Sequence, residues 1–63
     1  MTQKELLYLE DAIGHESSII KILEESISKL DDKNLSNFLE DEITVHQNLK
    51  SKLLSKMEEK ANG

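Results

Sequence analysis

The chain reads as an all-α antiparallel helical hairpin that dimerises into a four-helix bundle. Apolar residues recur at steps of three and four along two segments, the spacing of a single helix face. One short polar stretch, Asp31-Asp32-Lys33-Asn34, separates the segments, and so short a connection makes two helices antiparallel neighbours. The 63 residues are 37% hydrophobic and 33% charged, with no Pro and two Gly, the balance of a long-helix protein.

The first helix is expected over about 3–30. Thr2 followed by Glu5 forms a capping box: the hydroxyl accepts from a free backbone N–H and the carboxylate reaches back to another. Its stripe is Leu6, Leu9, Ile13, Ile20, Leu23, Ile27 and Leu30, with Glu16 where an apolar residue belongs. Lys29 suits the negative end of that helix. The turn is expected at 31–34, with Asp32 or Asp31 as the N-cap of a second helix over about 33–60. The second stripe reads Leu35, Leu39, Glu42, His46, Leu49 and Leu53, flanked by Phe38 and Met57. Acids (Glu40, Asp41, Glu42) fill the N-terminal half of this helix and lysines (50, 52, 56, 60) the C-terminal half, in agreement with the helix dipole. Asn62-Gly63 is read as a frayed end.

Two helices of this size run about 40 Å each, yet a lone pair buries one stripe from each. Leu7, Tyr8, Ile19, Ile22, Ile43, Val45 and Leu54 lie off the stripes. Ile19 and Ile22 are read as flanking the first seam on both sides, and Val45 as lying beside the second. So wide an apolar arc calls for a further neighbour, and the simplest is a second copy. Its core and interface are expected at Ile13, Ile20, Leu23, Ile27, Leu39, Leu49 and Leu53. The other reading is that the off-stripe residues are scattered surface apolars. A chain this short has a marginal core and usually needs a staple. With no Cys, association or a metal held by carboxylate and imidazole is what is left.

With the turn near residue 32, positions whose numbers sum to about 64 lie level, which sets Glu16 and His46 roughly 3 Å apart along the axis. Glu42 is about 9 Å from the Glu16 layer and shares a helix face with His46. In one reading Glu16 and His46 form a hydrogen-bonded pair, since a buried charge needs a partner, and the pair specifies register as a core Asn does. In the other, two copies of Glu16, Glu42 and His46 converge on a transition metal, because carboxylates and imidazole inside a bundle are the ligand set of di-iron and di-manganese sites. The spacing departs from Glu-x-x-His: here it is Glu42-x-x-x-His46.

The order Leu9-Glu10-Asp11, Glu16, Asp32-x-x-Leu35-x-x-Phe38-Leu39 and His46-Gln47-x-Leu49 resembles the small ferritin-like helical hairpins, most of all the short spore-coat-type proteins of endospore-forming bacteria. These carry a Glu mid-way along the first helix, an Asp-x-x-Leu turn and a Glu-x-x-His in the second helix. The resemblance spans residues 6–57 or so. It implies the hairpin fold and the dimer, and it aligns Glu16 with the first-helix Glu. His46 stands at the family's second-helix Glu and Leu49 at its His, so the implied metal site is a degenerate one.

Thirteen acids against eight Lys give a net charge of −5, and an acidic chain without Arg argues against a nucleic-acid partner. No apolar run approaches the ~18 residues of a membrane span. The lysines of the second helix are too sparse for a membrane-surface face. The Met-Thr-Gln-Lys-Glu start lacks the apolar stretch of a signal peptide, so a cytoplasmic place, spore-associated if the resemblance holds, is expected. His15 is read as a rim residue, Tyr8 as a bundle-end residue with a wet hydroxyl, and Gly14 as a point of close approach or of simple tolerance. Ser17-Ser18 has no base at nucleophile-like spacing, which sets hydrolase chemistry aside, and the chain is expected not to be an enzyme. The function expected is structural or interaction-based, with no cofactor. The alternatives are a bundle holding iron, manganese or zinc, and a regulatory hairpin that offers a helix face to another protein.

Overall fold

The computed structural model describes residues 1–62, with side chains as far as Lys60; the expected frayed end at Asn62-Gly63 lies, beyond Asn62, outside the described residues. Two helices, α1 (Gln3–Ile27) and α2 (Lys33–Asn62), pack against each other as a hairpin 47 × 15 × 10 Å across its Cα atoms. Among the described residues no helix is long and apolar enough to cross a membrane.

The helix starts follow from short polar side chains. The Thr2 hydroxyl accepts from the Glu5 N–H at 3.0 Å, and the Glu5 carboxylate accepts from the Thr2 N–H at 2.8 Å, so two otherwise unsatisfied donors are met reciprocally. Of the two candidate caps for α2, Asp32 is the one used: its carboxylate accepts from the Leu35 N–H at 3.0 Å. The end of α1 comes at Ile27, earlier than the expected 30. There the backbone tightens to i→i+3 bonds, Lys29 N–H to Ser26 O and Leu30 N–H to Ile27 O, while the Ser28 hydroxyl donates to Glu25 O at 2.6 Å. Serines compete in this way for the carbonyls that continue a helix. Lys29 and a half-buried Leu30 therefore belong to the turn.

The seam between the helices is lined from α1 by Leu9, Ile13, Glu16, Ile20, Leu23 and Ile27, as expected. From α2 it is lined by Leu39, Ile43, His46, Lys50, Leu53 and Met57. This differs from the expected second stripe at alternate positions. Leu35 and Leu49 are 45% and 41% exposed; Ser36 and Lys50 are half-buried in their place, and Ile43 takes the seam position expected of Glu42. The cause is a pair of neighbours, Leu49 and Lys50, of which only one can face α1. Ile43 and Met57 lie seven residues to either side of Lys50 and hold that rotation, and the lysine's methylene stem covers the seam while its ammonium reaches water. Among the described residues Ile20 alone is buried, at 9% exposed. The hairpin has one well-covered side chain and a seam of half-covered ones.

Candidate functional site

Two features stand out from the seam: a polar pair at its middle and an apolar face beside it. The pair is Glu16 and His46, joined across the hairpin by a hydrogen bond between Nδ1 of the imidazole and Oε2 of the carboxylate. Their side chains are 12% and 24% exposed. Each stands in the middle of its helix, at the seam position where the apolar series breaks. Desolvation makes an unpartnered polar group costly here, and the two groups satisfy each other. Their contact makes positions whose numbers sum to about 62 level, so Glu16 and His46 share one layer, closer than the offset read from the turn.

Glu42, one turn before His46, is half-buried but completes no cluster with the pair. Among the described residues no three His, Asp or Glu side chains come together in a way that would hold a metal ion. Within one chain the two donors that do meet are engaged with each other. His15 is exposed, as a rim residue should be. The Ser18 hydroxyl donates to Gly14 O at 3.1 Å. Two open notches of about 330 and 280 Å³ lie at the end remote from the turn, lined by Met1, Glu5, Leu9, Lys60 and neighbours; neither includes Glu16 or His46.

The apolar face follows from a regularity in the order of residues. The residues immediately preceding the seam positions of α1 are Tyr8, Ala12, His15, Ile19, Ile22 and Ser26. Those preceding the seam positions of α2 are Phe38, Glu42, Val45, Leu49, Lys52 and Lys56. A step of one residue back is the same rotation about each helix axis, about 100°. Antiparallel helices are exchanged by a two-fold rotation about the normal to their common plane, which leaves each face of the hairpin on its own side. The two rows therefore lie on one face. Ile19 and Ile22 both belong to it, which corrects the expectation that they flank the seam on opposite sides. Tyr8 is 62% exposed, Ile22 60%, Phe38 58% and Val45 55%. With Leu35 and Leu49, Ile22, Phe38 and Val45 make this face mainly apolar over the half of the hairpin nearer the turn, interrupted by half-buried Glu42, with Tyr8 beyond it.

Of the expected core and interface residues, Ile13, Ile20, Leu23, Ile27, Leu39 and Leu53 line the seam, and Leu49 lies on this outer face. Sequence reasoning noted the outer residues singly but did not gather them. The signal was present in the adjacency of each to a seam residue, and it becomes a face only once the helices are known to run in opposite directions. In comparisons with family models, curated proteins and solved structures, no match to this chain was found.

Proposed function

We propose that the chain is a non-catalytic structural module that pairs with a second copy, outer face to outer face, in a ferritin-like four-helix bundle, as its resemblance to the short spore-coat-type proteins implies. The observation that carries this reading is the outer face itself, where the largest apolar side chains of the chain stand more exposed than anything in the seam. Large exposed apolar patches mark interaction sites. A second copy supplies the covering that a core of one buried residue lacks.

Light scattering over a dilution series tests it. The expected mass at micromolar concentration is twice the 7.2 kDa of one chain. A monomer that stays folded at every concentration overturns the reading, and would favour a different protein as the occupant of the face.

A metal-binding bundle is the second reading, favoured by one observation: Glu16 and His46 do meet at mid-seam, so pairing two hairpins doubles the donors near the bundle's centre. Thermal unfolding with and without Zn(II) or Mn(II) tests it, because an ion that binds only the folded form raises the midpoint. An unchanged midpoint overturns it.

A further inference from the structure

The two helices repeat one another. Tyr8-Leu9-Glu10-Asp11-Ala12-Ile13 in α1 is matched by Phe38-Leu39-Glu40-Asp41-Glu42-Ile43 in α2, 30 residues on. The caps keep the same interval. The Thr2 hydroxyl accepts from the Glu5 N–H and its carbonyl from Leu6, just as the Asp32 carboxylate accepts from Leu35 and its carbonyl from Ser36. Each seam position of α1, from Leu9 to Ile27, likewise has its counterpart 30 residues later in α2, from Leu39 to Met57. A stripe of threes and fours recurs in many helices, but here the stripe, the caps and the aromatic-Leu-Glu-Asp-x-Ile run all agree on one interval.

Antiparallel helices so related are exchanged by a two-fold axis normal to the hairpin. Level positions have numbers that sum to about 62, and equivalent positions differ by 30. Glu16 and His46 meet both conditions, so the axis runs through their contact. They fill one position of the repeat, once with an acid and once with an imidazole. We infer that the hairpin is a two-fold pair of one helical unit, and that Glu16 and His46 are the residues by which the two units choose each other over their likes. The seam carries this by itself, whatever covers the outer face.

Units so alike can also pair like with like when two opened chains meet. In the same geometry, α1 on α1 of a second copy sets two Glu16 carboxylates against each other at the axis, and α2 on α2 sets two imidazoles there. Two half-covered carboxylates repel, and neither has a donor. Two imidazoles lack the anionic acceptor that strengthens the bond. Lys50 apart, the other seam positions are apolar in both helices and discriminate little. Selection comes from what the wrong pairing costs, as a polar core residue fixes partners in coiled coils.

Exchanging the two residues in the full chain tests this, by urea denaturation near neutral pH at one fixed chain concentration. Glu16→His, which sets two imidazoles at the axis, and His46→Glu, which sets two carboxylates there, are each expected to lower the folding equilibrium constant about tenfold. Glu16→His with His46→Glu in one chain is expected to restore it to within about threefold of wild type, because a two-fold axis offers the same partner from either side. Glu42 and Lys50, one turn before and after His46, are opposite in sign and leave a carboxylate placed between them near balance. An exchanged chain no more stable than His46→Glu alone overturns the two-fold equivalence. Single variants as stable as wild type overturn the role of the pair in the choice. Where neither single variant folds, the exchanged chain decides alone: cooperative unfolding bears the inference out, and its absence overturns it.

Discussion

The two broad faces of the hairpin differ sharply although the same seam generates both. One step before each seam residue stand Tyr8, Ala12, His15, Ile19, Ile22 and Ser26 on α1 and Phe38, Glu42, Val45, Leu49, Lys52 and Lys56 on α2. One step after stand Glu10, Gly14, Ser17, Lys21, Glu24 and Ser28, and Glu40, Thr44, Gln47, Ser51, Leu54 and Glu58. The large apolar side chains on the second face are Leu54, half-buried against the seam, and Leu7, one step after Leu6 and 53% exposed. A helix that served only a two-helix seam would have no reason to load one flank and strip the other. The asymmetry is what the proposed pairing asks of the loaded side, which a second copy would cover while the other face meets water.

The contrast can be broken by moving charge onto the loaded face. Ile22→Glu with Phe38→Glu is expected to weaken self-association by more than a hundredfold, since burying unpaired carboxylates in an apolar contact is the costliest change available; sedimentation equilibrium measures it. The same pair of changes on the stripped face, Ser17→Glu with Gln47→Glu, is expected to leave association nearly unaltered. Within the seam, Ile20→Ala is expected to cost about 2–4 kcal/mol of unfolding free energy, the range for truncating a covered Ile, read by urea denaturation. At mid-seam, Glu16→Leu alone is expected to cost about 1–3 kcal/mol by stranding His46 without its acceptor. Glu16→Leu with His46→Leu is expected to recover that loss or exceed wild-type stability, as replacement of buried polar pairs often does. A thermodynamic cycle over these variants gives the coupling, and independent, additive losses would show that the pair is not coupled.

The smallest effect belongs to the far end of α1. The backbone N–H of Thr2, and then its hydroxyl, hold the Glu5 carboxyl below the usual carboxylate range. A carboxyl with a depressed value stabilises the fold above its ordinary titration and loses that contribution as pH falls through the depressed one. Acid is therefore expected to loosen the first turn of α1 while the seam persists, seen as faster amide exchange at residues 3–6. In Glu5→Gln that acid-linked change should disappear.

Much of this architecture is legible in the order of residues. The three-and-four spacing and the caps at Thr2 and Asp32 are local properties, decided by side-chain geometry within a turn or two, and the structure places both caps as read. The meeting of Glu16 and His46 follows from counting outward from a short turn, because an antiparallel pair has one free parameter and the turn sets it. The rotation of α2 was not legible: Leu49 and Lys50 are adjacent, hydropathy alone favours the leucine, and the seam takes the lysine through its methylene stem. The sidedness of Ile19 and Ile22, by contrast, follows from the order of residues alone: each directly precedes a stripe residue, Ile20 or Leu23, so both lie about 100° round α1 to the same side.

The thin interior has a consequence for the amount of chain in solution. With Ile20 its sole buried side chain among the described residues, a hairpin that pairs as proposed would acquire most of its cohesion by meeting its own kind, and the folded fraction would then rise with concentration by mass action. Copies in short supply would spend more time open, where proteolysis follows the open population, and dilution would thereby act as the signal for removal.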